Sequence, residues 1–486
     1  MNAGWLLLLI LVMPLLGAVG IIATRRNPNV REAVTLISGG VLFLLVVILT
    51  SITAWDNPPT LVMAEPFPGL TLALTPEPLG ILFALIASVL WPVTSSYAIG
   101  YMRAHHEANQ TRFYTAFAVS ISATMGIALA GNMLTLFIFY ELLTIATYPL
   151  VTHAGTPEAK RAGRVYLGLL MSTSIGFMLL AMIWTWHLTG TLNFTQGGIF
   201  PPGTDGIILG TLLLLYVFGT GKAALMPFHR WLPAAMVAPT PVSALLHAVA
   251  VVKAGVFTVM KVAVYIFGLD LIAGMAAADV LAYIAGFTIL AASLVAMTKD
   301  NLKARLAYST VSQLGYVVMG AMLGATAGVI GGSMHIAMHA FGKITLFFCA
   351  GAIMVAAHKT NVSELDGLGR RMPLTMMAFL IGALSIIGLP PLGGTWSKWM
   401  LVQGTLDTHM WLLTAVLLIS SLLNIAYLLV IPMRGFFAKP SEYAAQGGIK
   451  EAPLPSLLAI GITVTGCVLL FFLSEPLFQL TEEILK

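Results

Sequence analysis

The chain has 486 residues, of which 58% are hydrophobic and only 9% are charged. Soluble proteins carry about 25% charged residues, so this composition excludes an ordinary soluble protein and indicates that lipid surrounds the chain. The formal net charge of +5 does not indicate nucleic-acid binding, because the basic residues occur singly or in small groups with no basic run. The length is therefore best read as a count of membrane helices, each about 20 apolar residues long.

Fourteen apolar runs are long enough to cross a bilayer. The first follows an N-terminus without the positive charge of a signal peptide, so it is expected to be retained as a span. The sequence predicts an all-α integral membrane protein with about fourteen transmembrane helices. In chain order the predicted spans are 3–23, 33–55, 78–100, 114–131, 133–151, 165–187, 206–227, 241–265, 274–297, 306–326, 331–357, 373–404, 409–433 and 455–474.

The loops between these spans alternate in charge. One set holds 18 of the 24 basic residues, whereas the other holds none and carries the acids Asp56, Glu65, Asp205, Asp270 and Asp407. Basic loops stay in the cytoplasm, so both termini are predicted to face outward from the cell (inner or plasma) membrane. The basic loop residues are Arg25, Arg26, Arg31, Arg103, Arg112, Lys160, Arg161, Arg164, Arg230, Lys299, Lys303, Arg305, Lys359, Arg370, Arg371, Arg434, Lys439 and Lys450.

Five lysines fall inside predicted spans: Lys222, Lys253, Lys261, Lys343 and Lys398. A charge at the bilayer centre costs roughly 3 kcal/mol on insertion scales. None of the five is Arg, which stays protonated, whereas a buried lysine can give up its proton near neutral pH. We interpret them as proton donors and acceptors, except that Lys261 lies near a span end, where its ammonium is expected to reach the interface.

Glu141 is the clearest acid inside a span. A pair with Lys222 would have two states, because a proton or cation arriving nearby breaks the pair and moves charge onward. The alternative is that Glu141 only neutralises a lysine for packing. Lys398 also has an alternative, since a lysine beside a helix break can simply line a water-filled cavity.

His335, His339 and Lys343 recur every four residues and form one stripe on a helix. A titratable stripe suits a proton relay, and the alternative is that the histidines bond to neighbouring helices. No further ligand has the spacing of a zinc site. No flavin, iron–sulfur or quinone motif is found, so neither a metal nor a cofactor is predicted.

Prolines interrupt two predicted spans, at 226–233 after Lys222 and at 388–394 before Lys398. Irregular backbone at membrane depth persists only inside protein or beside a cavity. The breaks fall in spans 7 and 12, and matching breaks in two halves indicate inverted repeats, with kinks that play no part in transport as the alternative. The predicted division is helices 1–3 in residues 1–113, a first inverted five-helix repeat (helices 4–8) in 114–265, a second (helices 9–13) in 266–434, and helix 14 in 435–486.

A set of motifs covers nearly the whole chain, at residues 139–142, 227–233, 238–247, 252–255, 306–316, 339–343 and 388–391 with Lys398. Together they resemble the antiporter-like family shared by Mrp-type multisubunit cation/proton antiporters, respiratory complex I and membrane-bound hydrogenases. The resemblance implies that Glu141 and Lys222 are the paired charges of a first half-channel, that Lys253 is the central lysine and that Lys398 serves the second half. It adds relay candidates, which are His229, His247, His335, His339 and Lys343.

The resemblance also implies a function. The chain is expected to be a proton-translocating subunit of a sodium/proton antiporter, most like the D-type subunit of Mrp antiporters, and not itself an enzyme. Its partners would be other membrane subunits of a hetero-oligomeric complex, within the lipid bilayer. The alternatives are a proton-pumping module of a redox-driven complex, such as complex I or a hydrogenase arm, and a membrane scaffold that has lost transport.

Overall fold

The computed structural model describes residues 3–445 and 448–486, without the side chains of residues 3, 247, 442 and 443. Most of the described chain is helical. The helices are α1 (Ala3–Ala23), α2 (Pro28–Ile52), α3 (Pro78–Ala104), α4 (Gln110–Ala128), α5 (Met133–Val151), α6 (Pro157–Thr173), α7 (Leu179–Thr189), α8 (Gly206–Gly219), α9 (Trp231–Ala234), α10 (Thr240–Ala244), α11 (Val251–Lys261), α12 (Leu269–Ala273), α13 (Ala276–Thr298), α14 (Leu302–Met322), α15 (Thr326–Ala357), α16 (Pro373–Ile387), α17 (Gly394–Asp407), α18 (Trp411–Asn424), α19 (Val430–Phe437), α20 (Glu442–Ala445), α21 (Leu454–Phe472) and α22 (Ser474–Glu482).

Wider π-helical turns join several of these helices. They lie at Ser174–Met178 between α6 and α7, at Leu245–Val249 between α10 and α11, at Val262–Phe267 after α11, and at Ile425–Leu429 between α18 and α19. Such turns are frequent at functional sites. Two of the four flank α11, the helix that carries Lys253 and Lys261.

Polar side chains fix where many helices begin. Asn132, for example, accepts a hydrogen bond from the backbone N–H of Thr135 at 2.8 Å, which satisfies one of the donors that a helix start leaves unpaired. The same arrangement starts the helices that follow Asn27, Thr156, Asp205 and Asn301. The sequence therefore places the bounds of these helices through local hydrogen bonds.

The helical membrane fold predicted from the sequence is confirmed. Within the described residues, nine helices are long and apolar enough to cross a membrane by length and composition. Two shorter apolar helices, α8 and α16, end at the predicted breaks. Helices also lie in the other predicted spans, but α4 and α14 are more polar and α11 is only 11 residues long. The count of fourteen crossings therefore stays a prediction, as does the division at residues 113, 265 and 434.

A short β-hairpin was not predicted. Strands β1 (Leu61–Phe67) and β2 (Leu70–Leu74) pair antiparallel between α2 and α3. The turn is closed by Gly69, whose φ of 79° favours glycine and whose N–H donates to Glu65 at 2.8 Å. The hairpin lies in a loop that the charge pattern assigns to the outer side.

Both predicted helix breaks are present. Helix α8 ends at Gly219, and Lys222 lies in a 3₁₀ turn, Gly221–Ala223, that continues into irregular chain before α9. Helix α16 is followed by Gly388, whose φ is 89°, and α17 begins at Gly394. Each break ends a helix and leaves carbonyl groups without a helical partner. In both cases a lysine side chain lies close by.

Two isolated backbone bridges occupy corresponding positions in the two predicted repeats. Asn132, which caps α5, pairs with Asn193 after α7, and Asn301, which caps α14, pairs with Asn361 after α15. In the predicted repeats, α5 and α14 are the second helices, and Asn193 and Asn361 follow the third helices. The correspondence agrees with an internal repeat.

Candidate functional site

The turn that contains Lys222 is held against helix α5. The Lys222 ammonium is fully buried and donates to the carbonyl oxygen of Tyr140 at 2.8 Å and to the hydroxyl of Thr144 at 2.6 Å. On the opposite side, Trp231 Nε1 donates to the carbonyl oxygen of Gly221 at 2.9 Å. The lysine is therefore held against α5, and its hydrogen-bond acceptors within the described residues are neutral oxygen atoms.

Glu141 lies next to this contact but does not join it. Both of its carboxylate oxygens are buried, and neither has a hydrogen-bond partner among the residues that the structure describes. The Lys222 ammonium is bonded instead to the backbone carbonyl of Tyr140 and to the hydroxyl of Thr144. The predicted ion pair between Glu141 and Lys222 is therefore not formed in this conformation, although the two residues lie in the same region.

Lys253 and His339 form the central contact. Lys253 on α11 and His339 on α15 are almost fully buried, and their Nζ and Nδ1 atoms are 2.6 Å apart. A hydrogen bond between two nitrogens needs one donor and one acceptor, so a single proton lies between them. The bond can form in a singly protonated pair, as an ammonium facing an imidazole or an imidazolium facing an amine, and also between two neutral groups.

His335 continues the contact towards the second break. Its ring lies 5.7 Å from that of His339 and 5.4 Å from that of Tyr316, measured between centroids. Its Nδ1 is 2.9 Å from the hydroxyl of Ser397, the residue before Lys398. The predicted stripe therefore reaches α17 through its His335 end.

Lys343 at the other end of the stripe contacts a different helix. Its ammonium donates to the hydroxyl of Ser309 on α14 at 2.5 Å, and the hydroxyl of Tyr427 donates to the same Ser309 oxygen at 2.9 Å. Tyr427 also bonds to Asn424. Lys343 is thus the start of a branch towards α18, and its hydrogen bond is not directed at Lys398.

Lys398 lies at the second break, beside a cavity of ≈ 520 Å³. Its ammonium donates to the carbonyl oxygen of Ile387, the last residue of α16, at 3.0 Å and to the hydroxyl of Ser421 at 3.2 Å. A helix C-terminus carries partial negative charge on its unpaired carbonyls, which favours a cation there. The break therefore supplies the acceptor that holds this lysine.

The expectation that Lys261 reaches the interface is wrong. Its side chain is fully buried, forms an ion pair with Glu77 and donates to the carbonyl oxygen of Ala130 at 2.8 Å. Glu77 precedes α3 and was not recognised as a partner, because an acid before a proline at a helix start is typical of a loop. Only the folding of α3 against α11 brings the two charges together.

The remaining relay candidates are less closely connected. His229 is half-buried, its ring lies 6.3 Å from Tyr308, and its Nδ1 has no hydrogen-bond partner in the part of the chain that the structure describes. The side chain of His247 lies outside the described residues. No group of three or more His, Cys, Asp or Glu residues within the described ranges is arranged to hold a metal ion.

Sequence reasoning missed the hydroxyl groups. Three of the buried lysines have a Ser or Thr partner: Thr144 for Lys222, Ser309 for Lys343 and Ser421 for Lys398. A hydroxyl can accept a hydrogen bond from an ammonium and can donate one to a neutral amine. Each of these lysines therefore keeps a hydrogen bond in both protonation states, which is a property that a proton-transfer group needs.

The sequence is similar to two groups of known membrane proteins. It is 31% identical to the N subunit of the NADH-quinone oxidoreductase of Desulforudis audaxviator, over 97% of this chain and 96% of the relative. It is 28% identical to the D subunit of the Na⁺/H⁺ antiporter of Alkalihalophilus pseudofirmus, over 83% of this chain and 80% of the relative. Each match extends over most of both sequences.

The fold is similar to that of a chain in the membrane-bound sulfane sulfur reductase, an archaeal respiratory membrane complex. The TM-score is 0.86 at 22% sequence identity, over 99% of this chain and 98% of that one. A family model described as NADH:quinone oxidoreductase/Mrp antiporter, transmembrane, matches residues 130–424, the region that holds the buried lysines. This chain therefore belongs to the NADH:quinone oxidoreductase/Mrp antiporter family of membrane proteins.

Proposed function

We propose that this chain is the proton-translocating subunit of a multisubunit monovalent cation (sodium)/proton antiporter. The observation that carries the proposal is the kind of group to which the buried lysines are hydrogen-bonded. The central line runs from Lys222 through Lys253, His339 and His335 to Lys398, and its lysines are bonded to hydroxyl, carbonyl or imidazole groups. A structural lysine is better stabilised by a carboxylate, which favours the charged form.

Glu141 has a specific part in this proposal. Its carboxylate is buried beside the Lys222 turn with its oxygens unbonded within the described structure, so it releases the Lys222 ammonium when it takes a proton or a cation and draws that ammonium towards itself when it is ionised. Such a move breaks the contacts of Lys222 with Tyr140 and Thr144. A charge displaced in this way would alter the protonation of Lys253 next along the line.

The cellular setting also belongs to the proposal. The similar sequences and fold come from subunits of larger membrane complexes, and we infer that this chain works with other membrane subunits. The alternation of loop charge supports a location in the plasma membrane of a prokaryote with both termini outside. Sodium is the proposed coupling cation, by analogy with the similar antiporter sequence.

A redox-driven complex is the second candidate. It is favoured by the match to the oxidoreductase N subunit, which extends over nearly the full length of both chains. In that setting the same residues would move protons, and electron transfer would belong to partner subunits. Purifying the complex from native membranes and identifying its subunits separates the two: iron–sulfur or flavin subunits would overturn the antiporter assignment.

The proton path is tested with membrane vesicles that hold the assembled complex. Glu141→Gln and Lys222→Ala should each reduce cation-dependent pH changes at least about 10-fold, since a proton-transfer group typically contributes about 100-fold or more. Lys439→Ala, in a basic loop, is the control and should leave the rate unchanged. Parental rates in both Glu141→Gln and Lys222→Ala, with normal assembly, would rule out this path.

A further inference from the structure

A second group of charges lies outside the line of lysines, in a cavity at the hairpin end of the molecule. The cavity has a volume of ≈ 470 Å³ and is lined by polar and apolar groups from several loops. Its titratable side chains are Asp56, Glu77, Tyr265, Glu483 and Lys486. One of them, Asp56, belongs to a loop that the charge pattern predicts to face outward.

The floor of the cavity is the Glu77–Lys261 ion pair. Lys261 is fully buried behind it, bonded to the carbonyl of Ala130 and with its ammonium 3.9 Å from the ring centroid of Phe194. The Glu77 side chain is 12% exposed and lines the cavity together with Tyr265, while its Oε2 atom is itself buried. In this pair, Lys261 is buried in the protein, whereas Glu77 lines the cavity.

The partner of Lys261 sets it apart from the other four buried lysines. Those four are held by neutral groups, whereas Lys261 is held by a carboxylate. Its charge is thus balanced only while Glu77 is ionised. A proton bound by Glu77 would leave Lys261 as an unbalanced buried cation, which is strongly unfavourable.

Lys261 lies on the same helix as Lys253. Eight residues separate them, which corresponds to about 12 Å along α11. At an effective dielectric constant of about 20, two like charges at that distance change each other's proton affinity about tenfold. The state of Glu77 therefore acts on the proton of Lys253 without direct contact.

We propose that Glu77 and Lys261 form a gate through which protons in the outer cavity control the Lys253 station. A proton from cavity water binds the Glu77 carboxylate and breaks the ion pair. The unbalanced Lys261 charge then weakens the hold of the Lys253–His339 pair on its shared proton. When Glu77 returns its proton to the cavity, the pair re-forms and Lys253 can be protonated again. This inference rests on the proposed function, because it assigns a control to that proton line.

Access to the cavity is tested first by cysteine labelling of the whole complex. The native Cys349 and Cys467 are buried, so they give little background. Thr75→Cys lines the cavity, and Ala104→Cys lies at the other end of α3. A membrane-impermeant maleimide added outside intact cells should modify Thr75→Cys and not Ala104→Cys. Modification of Thr75→Cys only from the side that modifies Ala104→Cys would overturn the proposal.

The gate itself is tested by transport in vesicles with the cavity-side pH set at about 6 or about 8, values that bracket neutral pH. Glu77→Gln cannot ionise and leaves Lys261 unbalanced, so transport should fall at least about 10-fold at both values. The control is Glu65→Gln, the same change on the exposed hairpin. All variants are measured under the same driving force. A transport rate and pH response in Glu77→Gln equal to those of Glu65→Gln would therefore overturn the gate.

A purely structural ion pair is separated from a gate by the double variant Glu77→Gln/Lys261→Met. It leaves no buried charge and should assemble even if Glu77→Gln does not. If the pair is a gate, transport by the double variant should recover. Its ratio of rates at the two pH values should differ about threefold or more from the ratio in the Glu65→Gln control. If the double variant recovers transport with the same ratio of rates as the control, the ion pair has only a structural role. Normal transport by Lys222→Ala would show that the proposed function is wrong. If Lys222→Ala is inactive and the double variant keeps the ratio of rates seen in the control, only the gate is wrong.

Discussion

The Lys253 ammonium and the His339 imidazole are joined by a 2.6 Å hydrogen bond between α11 and α15. In the predicted division of the chain, these two helices belong to different repeats. The bond is therefore the point at which the two halves of the lysine line meet. Because one hydrogen lies between the two nitrogens, this contact is suited to pass a proton between the two predicted repeats.

Removing either group at this junction should stop transfer between the halves. Lys253→Met and His339→Leu are each expected to lower transport at least about 10-fold in assembled complex. The double variant should be no worse than the single ones, because both remove the same link. His358→Leu, at an exposed position, is the control. Additive losses in the double variant would show that the two residues act separately.

The hydroxyl beside Lys222 should matter more than the side-chain volume. Thr144→Val removes the 2.6 Å acceptor and leaves a buried ammonium one partner short, at a cost of about 1–3 kcal/mol. We expect slower transport and a lower unfolding temperature of the complex, whereas Thr144→Ser should retain both. Thr465→Val on the exposed face of α21 is the matched control. Equal activity of Thr144→Val and Thr144→Ser would contradict the role of the hydroxyl.

Lys398→Arg tests proton release against simple positive charge. Arginine keeps the charge, and the cavity of ≈ 520 Å³ beside Lys398 leaves room for the larger side chain. Since arginine does not give up its proton, we expect transport to fall at least about 10-fold with assembly unchanged. Lys359→Arg, at a partly exposed loop position, should have no effect. Full activity of Lys398→Arg would mean that Lys398 acts only as a fixed cation.

Gly255 permits the close approach of α11 to the Lys222 turn. A Cβ atom at this position would lie 2.3 Å from the backbone nitrogen of Ala223 and 2.3 Å from the carbonyl carbon of Lys222. Gly255→Ala should therefore displace the turn, reduce transport and lower the unfolding temperature. Gly168→Ala on α6 has no atom within 4 Å and should be neutral or slightly stabilising, by up to about 1 kcal/mol. Equal stability of the two variants would refute the close-packing argument.

The loop before α14 should respond to acid. Ser363 donates two hydrogen bonds to Asp300, from its hydroxyl at 2.6 Å and from its backbone N–H at 3.0 Å. These bonds, and above all the one from the hydroxyl, hold the pKa of Asp300 below its ordinary value of 3.8. An acid with a lowered pKa contributes stability above its unfolded-state pKa and loses it as the pH falls through the folded-state pKa.

Ser363→Ala should therefore lower the unfolding temperature at neutral pH. The difference from the parent should shrink as the pH is reduced through the pKa of Asp300, in a thermal unfolding series on the complex. Ser51→Ala, at an exposed position on α2, is the control. A difference that stays constant with pH would show that the hydroxyl acts without the carboxylate.

The sequence by itself determined the membrane class, the places where most helices lie, both helix breaks and the five lysines inside the predicted spans. Each follows from local properties: apolar length, loop charge, and the prolines and glycines that end α8 and α16. The order of the central line was also predictable in part, since His335 and His339 share a helix face. The hairpin was missed, because alternating polarity over so few residues is a weak signal beside the helices.

The tertiary structure decided which groups the lysines contact. Lys222 bonds to the carbonyl oxygen of Tyr140 and the hydroxyl of Thr144 instead of the Glu141 carboxylate, because the approach of the Lys222 turn to α5 brings those two groups to its ammonium. Lys261 was expected at the interface, but α3 brings Glu77 onto it from far away in the chain. Hydrogen-bond partners depend on distances between helices, and neither composition nor spacing along the chain contains those distances.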